Sequence, residues 1–534
     1  MRFDELKQDY PSNRYCITAR EGVVATGSNL ASAAGLEILK KGGNAIDAAI
    51  ATAAALTVVE PTANGIGSDA FALVYVKDKL YGLNASGYAP SKISAKEVLK
   101  NHDTMPKHGW TPITVPGAPK AWCELSKRFG KLSLEECLAP AIRYAYDGYP
   151  LSPMLGKMFL ASTKRFKEEF KDDPKFKEWF KVFTKDGEPY KFGEMIYLKD
   201  HAKTLDLIAK TRGEAFYKGE IAEAIVRQST RDGGYFSLDD LKNYEASWVE
   251  PISVKYHGYD VYEIPPNGQG IVALMALNAL KGSNFQSRDE NTFHHQFEAI
   301  KLAFANAMHY VSDPRYMGID YHDLLSDEYA KMMAEKIKDQ AGIYSHIEPP
   351  KSGTVYLCTA DKEGNMVSYI QSNYMGFGSG IVIEGYGVAM QNRGADFSLD
   401  EHHYNFLRPL KKTYHTIIPG FLMEGDKPIG PFGVMGGYMQ PQGHLQVVMN
   451  LIDFHMNPQM ALDAPRWQWV KEDQFIVEPD FDKKIVEELK KRGHKITYAK
   501  DRVSFGRGQI ILRLDNGVYV AGCESRTDSN IACY

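Results

Sequence analysis

Near Pro350 the chain changes texture, and that break constrains the fold more than any other feature. Beyond it, TVYLCTADKEGNMVSYIQSNY (Thr354–Tyr374) forms two apolar-alternating runs around the turn DKEGN (Asp361–Asn365), the pattern of a β-hairpin. Further strands are expected at Tyr414–Met423 and Ile510–Ala521, with a helix from about Leu445 to Phe454. Before the break, Ser28–Lys40 and the Ala-rich Ala45–Val59 read as two helices meeting at Gly42, Gly43 and Asn44. The loop Glu60–Asp69 (EPTANGIGSD) follows, then a hairpin turning at Lys77–Lys79. From about Ala95 to Glu250 the chain reads as mainly helical, with the charged, aromatic-rich stretches Thr163–Lys177 and Glu178–Lys191 expected on the surface. Ile252–Pro266 returns to strand, and His294–Val311 is an amphipathic helix. A chain with this division stacks helices on sheets, which makes it α+β.

Composition narrows the function classes. Across 534 residues, 63 Lys and Arg balance 67 Asp and Glu, a net charge of −4. Such a balance gives no general attraction to nucleic acid or to an anionic membrane. No stretch reaches the length of a spanning helix, and the polar start MRFDELKQDY lacks the apolar core of a secretory signal. The six cysteines lie far apart and form no CxxC pair, which suits a reducing compartment. A soluble, cytoplasmic protein is expected, with neither nucleic acid nor membrane as partner.

Four features compete to carry chemistry. The pairs His294–His295 and His402–His403 lack the spacing of a metal site, because adjacent helical side chains diverge. The loop NGIGSD (Asn64–Asp69) matches neither dinucleotide nor P-loop patterns. No GxSxG elbow occurs. The fourth is Ser352-Gly353-Thr354 at the head of the hairpin. A Thr there is most simply a strand former. Were the Gly353–Thr354 bond cut, Thr354 would carry a hydroxyl and an α-amine of pKa about 8, a nucleophile with its own base. No metal and no cofactor is expected.

Eight segments decide between these readings. They include KKGGNAIDAAIATAAALTVVEP (Lys40–Pro61), TVPGAPKAW (Thr114–Trp122), QNRGADFS (Gln391–Ser398), MGGYMQPQ (Met435–Gln442) and the Thr354 hairpin. In order along nearly the whole chain they resemble the gamma-glutamyltranspeptidase family. The resemblance implies a four-layer αββα N-terminal-nucleophile hydrolase sandwich, one domain built from a precursor that cuts itself into residues 1–353 and 354–534. It implies that Thr354 is nucleophile and base, that the Ser372 hydroxyl supports it, that Gly436 and Gly437 form the oxyanion hole, and that Asp396 binds a substrate α-amino group. The small-molecule amide substrate is the expected partner, beside the two fragments of the precursor and, at most, a second copy in a homodimer.

The departures from the family pattern fall in the substrate pocket. Ser86 stands where the family has the Arg that grips the α-carboxylate, Tyr374 replaces an Asn, Arg393 replaces a Gln or Glu, and Lys411 and Lys412 replace a Ser-Ser pair. The lid segment is short. These changes imply an acyl pocket still built for an anion, its positive charge moved from the 1–353 part to the 354–534 part. The leading expectation is an enzyme that cleaves gamma-glutamyl or similar anionic acyl amides through an acyl-enzyme on Thr354, with hydrolysis favoured over transfer. The alternatives are an acylase or amidohydrolase for glutaryl or oxamate-type amides, and an uncut homologue that only binds.

Overall fold

In the computed structural model, residues 13–344 and 353–534 are described; the polar start at residues 1–12, Pro350 and Ser352 lie outside them. Two seven-stranded antiparallel sheets form the centre. Their strands are β1 (Ile17–Ala19), β2 (Gly22–Thr26), β3 (Asp69–Val76), β4 (Lys79–Ala85), β5 (Ser247–Val249), β6 (Ile252–Tyr256) and β7 (Tyr259–Glu263), then β8 (Gly353–Asp361), β9 (Met366–Tyr374), β10 (Gly420–Glu424), β11 (Lys427–Met435), β12 (Arg507–Arg513), β13 (Tyr519–Cys523) and β14 (Asn530–Cys533). One sheet runs β14-β2-β8-β9-β3-β4-β5 and the other β1-β13-β12-β11-β10-β7-β6. Each mixes strands from before and after Thr354, so the two parts of the chain share both sheets.

Three apolar layers hold these elements. Phe71, Leu73, Tyr356, Ile370, Phe421 and Ile511 pack between the sheets. Outside the first sheet lie helices α1 (Asn29–Lys40) and α2 (Ala45–Val59) and the helices that follow them. Outside the second lie α3 (Gly270–Leu280), α4 (Glu290–Tyr310) and α5 (Met439–Ile452). Helix α2 is buried along its whole length, as its small residues demand. A Cβ on Gly35 of α1 would come within 2.3 Å of Thr52 Oγ1, so only glycine lets the two helices approach this closely. Asn44 and Asp47 close a capping box at the start of α2.

The Thr354 hairpin forms as its pattern predicts, from β8 and β9. The β3–β4 hairpin turns through Lys77 and Asp78, whose φ values of 51° and 59° suit a two-residue turn. Three expectations need correction. Of Tyr414–Met423 only the end is strand, because Thr413–Thr416 is drawn into side-chain bonds described below. Ile510–Ala521 and Ile252–Pro266 each divide into two paired strands. The stretches read as surface bury their rings: Phe166 stacks on Trp179 at 4.0 Å and both contact Phe377. Most of their charges face outward, Glu178 and Arg165 excepted, while the aromatic stripe completes the core. The six cysteines are free, and no helix among the described residues is long and apolar enough to cross a membrane.

Candidate active site

Side chains at one end of the first sheet stand in a row. Gly353 pairs with Tyr374 and Val355 with Gln371, so Thr354 sits in a bulge beside Ser372. Ser372 lies opposite Asp69 on β3. Asp69 precedes the Ala70 that pairs with Ala85, Ser86 directly follows β4, and the next N–H, that of Gly87, donates to Asp69 Oδ1 at 3.3 Å. Opposed residues of antiparallel strands project from the same face. Thr354, Ser372, Asp69 and Ser86 therefore form a continuous row, all of them buried.

The Thr354 end of the row carries a hydroxyl relay. Ser372 Oγ lies 3.0 Å from Thr354 Oγ1 and 3.0 Å from the Gly353 carbonyl oxygen, and accepts the Tyr374 N–H at 2.8 Å. A serine has one proton to give. When Ser372 donates to the carbonyl, the Thr354 hydroxyl donates to Ser372. The relay thus polarises the carbonyl of the Gly353–Thr354 bond and orients the hydroxyl that follows it. Tyr374 adopts a left-handed φ of 74° to turn its N–H onto Ser372.

Arg393 covers this end. Its guanidinium lies 4.1 Å from the centre of the Tyr374 ring, donates to Thr416 Oγ1 at 2.7 Å, and brings Nη2 to 3.5 Å from Ser372 Oγ. Asp396 lies 3.6 Å from the same guanidinium. Its other oxygen accepts the Tyr374 hydroxyl at 2.5 Å and the Tyr438 hydroxyl at 3.4 Å. Burial raises the Asp396 carboxyl to about 6, with Arg393 opposing the rise. Gly436 and Gly437 turn between β11 and α5 with φ of 138° and 60°, and a Cβ on Gly436 would stand 3.2 Å from Gly506 Cα. Gln269 Nε2 ties this turn to Thr416, the residue that accepts from Arg393, by donating to the carbonyls of Gly437 and Thr416, at 2.8 and 2.6 Å.

The far end of the row has different contents. Ser86 Oγ donates to Asn84 Oδ1 at 2.7 Å, and the Lys412 ammonium reaches the same oxygen at 3.3 Å. Lys412 thus extends to the position that Ser86 leaves without a cation. Burial lowers its ammonium to about 8, while Asp313 and Asp69 oppose the loss of charge. Lys411 is not brought into this group. Its ammonium points away, onto the carbonyls of Tyr404 and Phe406 and over the Tyr316 ring. It is a buried loop anchor, unlike a solvated rim residue. The structure adds His415, whose Nε2 lies 3.0 Å from Asp69 Oδ2. A lone His in the apolar run YHTIIP was the signal available for it.

Among the histidines weighed for metal binding, His294 meets His494 at 2.8 Å and the Lys338 carbonyl at 2.6 Å. His294, Glu298 and His494 are close enough together to ligate an ion, but the Lys301 ammonium lies 2.6 Å from Glu298 and supplies the cluster's cation.

Residues 31–534 match the profile of the Gamma-glutamyltranspeptidase family. The Glutathione hydrolase-like YwrD proenzyme of Bacillus subtilis is 36% identical over 97% of this chain and 99% of its own length. The Oxamate amidohydrolase proenzyme of Klebsiella pneumoniae is 30% identical over 96% of this chain and 98% of its own. The crystal structure of a cephalosporin acylase from Bacillus halodurans superposes with a TM-score of 0.97 at 54% identity, covering 100% of this chain and 99% of that one. With two antiparallel sheets flanked by helices and a match across its length, this chain is an enzyme of the gamma-glutamyltranspeptidase family, similar to its hydrolases.

Proposed function

We propose that the protein is an amide hydrolase for short acyl groups that carry a carboxylate but no α-ammonium, glutaryl-type amides above all. It works as a four-layer αββα N-terminal-nucleophile hydrolase that first cuts itself at Gly353–Thr354. The Thr354 hydroxyl attacks the Gly353 carbonyl carbon, the C–N bond breaks, and water opens the resulting ester. The freed α-amine of Thr354 then takes the hydroxyl proton as Oγ1 attacks a substrate amide, and gives it to the leaving amine. The acyl group stays on Thr354 as an ester until water removes it. The N–H groups of Gly436 and Gly437 stabilise the oxyanion, an effect worth roughly 10²–10³ in rate per donor. Arg393 is the near cation for the acyl carboxylate and Lys412 the far one. The shortened lid favours water over an amine acceptor.

One observation carries the substrate reading. The Asp396 carboxylate, where family members would bind an α-ammonium, already meets Arg393 and the Tyr374 hydroxyl. A substrate ammonium there would face the guanidinium at close range, and like charges in a buried site repel strongly. The cephalosporin acylase and the oxamate amidohydrolase among the relatives support an acyl group other than glutamyl. The test is a set of anilides with one leaving group and glutaryl, γ-glutamyl or butyryl as the acyl part. Glutaryl should exceed both others by at least about tenfold in kcat/KM. Arg393→Gln should erase most of that margin, since a charge-assisted contact to a buried carboxylate contributes about 1.5–3 kcal/mol. A γ-glutamyl preference in the wild type would contradict the reading.

A further inference from the structure

Gln269 has no part in the steps above, yet its side chain touches the supports of both places where the substrate would be held. It stands just before α3 and is fully buried. Its backbone N–H donates to the His415 carbonyl at 2.9 Å, and the neighbouring Gly268 bridges His415 in parallel register. The main chain is therefore pinned before the side chain begins. Nε2 donates one proton to the Thr416 carbonyl at 2.6 Å and the other to the Gly437 carbonyl at 2.8 Å. The Tyr414 hydroxyl donates to Oε1 at 3.0 Å. An amide nitrogen has two protons, and a carbonyl can only accept, so the sense of this amide is fixed and its donors are fully used. Gln269 belongs to the 1–353 part of the chain, and every group named here that it binds belongs to the 354–534 part.

The two carbonyls lead to opposite ends of a bound acyl group. Thr416 Oγ1 accepts Arg393 Nη1 at 2.7 Å, so the place of Thr416 sets the place of the guanidinium. In the glycine turn, the Gly436 carbonyl accepts the Met439 N–H and the Gly437 carbonyl accepts the Gln440 N–H, both at 3.1 Å. Those bonds are internal to the turn, and glycines restrain their own peptides little. The bond from Gln269 comes from outside and ties the turn to Thr416.

We propose that Gln269 is a positioning residue that fixes the span between the glycine turn and Arg393, and so sets the length of acyl chain the enzyme accepts. The inference rests on the reading above, in which the N–H groups of Gly436 and Gly437 hold the scissile oxygen and Arg393 holds the acyl carboxylate. Both supports hang on one nitrogen atom, so a dicarboxylic acyl group has to match a fixed distance. One methylene more or fewer displaces its carboxylate by roughly 1 Å, and misplacements of that size cost up to about 100-fold.

The readout is kcat/KM of the cut enzyme on succinyl, glutaryl, adipyl and butyryl anilides. In the wild type, glutaryl should exceed succinyl and adipyl by at least about tenfold. Gln269→Met keeps the length of the side chain and removes its donors, and should shrink that margin to about threefold or less. A merely structural role would lower all four substrates by one factor and leave the margin whole, which would overturn the proposal. Thr416→Val is an independent arm. This isosteric change removes the hydroxyl that accepts from Arg393 and leaves both carbonyls to Gln269. The margin should narrow there too, and an intact margin would overturn the proposal even if Gln269→Met failed to fold or to cut itself. The wild type alone tests the underlying reading. Butyryl equal to glutaryl would remove the anionic-acyl reading, whereas three diacids equal to one another and well above butyryl would spare that reading and overturn the proposal.

Discussion

Two buried charge networks in this protein differ in how far their charges are satisfied. Around Glu524, Arg466 approaches at 3.0 Å and Arg526 at 2.7 Å, and Arg526 also holds Glu478 at 2.6 Å. Burial alone would raise the Glu524 carboxyl, but the two guanidiniums outweigh it and hold it at about 2. In the site, burial wins. Asp69 rises to about 7 and Asp396 to about 6, while Lys412 falls to about 8. Both networks are buried and both mix acids with bases; short, multiple ion pairs make the difference. The closed network serves architecture. Arg466 also donates to the Phe505 and Gly506 carbonyls, at 2.9 and 3.1 Å, and Gly506 backs the Gly436 turn. The open network faces the Thr354 row, where the charge of the proposed substrate would complete it.

The largest expected effect breaks the closed network. Arg526→Leu strands Glu478 and leaves Glu524 with one guanidinium, which should cost about 3–5 kcal/mol in urea unfolding. Lys412→Met in the open network should cost less than a third of that, because burial already disfavours its charge. Equal losses would mean that the two networks do not differ as described.

A smaller effect separates them by pH. Glu524 is depressed below its unfolded value, so its stabilisation is present above about pH 4.5 and is lost as pH falls toward 2. Asp69 and Asp396 are raised, so stability on their account increases as pH falls through about 7 and 6 and levels off near the unfolded carboxyl value of about 4. In thermal unfolding, Asp69→Asn should therefore flatten the slope between pH 5 and 7 and leave the acid limb below pH 4 in place. An unchanged slope between pH 5 and 7 would show that Asp69 does not titrate there.

The sequence reveals the two networks unequally. The Thr354 hairpin and α2 are legible because local periodicity and capping specify them, and the resemblance points to Ser372, Gly436 and Asp396. The Asp69–His415 bond spans 346 positions, and no local pattern reports a contact that only strand order creates. Lys411 and Lys412 look alike in sequence. Consecutive side chains in an extended segment diverge, which sends one to the Tyr404 loop and the other to Asn84. The rings of Phe166 and Trp179 were hidden for a related reason, since a charged stretch masks its apolar stripe when the partner, Phe377, lies far along the chain.

The central claim is that Thr354, freed by self-cleavage, carries an anionic acyl group through turnover. The most direct measurement is mass spectrometry with N-terminal sequencing of enzyme acid-quenched during turnover of glutaryl anilide, alongside Thr354→Ala. The account predicts a small fragment beginning Thr-Val-Tyr-Leu that carries one glutaryl group on Thr354, and a Thr354→Ala chain that stays whole and unacylated. Turnover by an uncut chain, or an acyl group on any other residue, would contradict it.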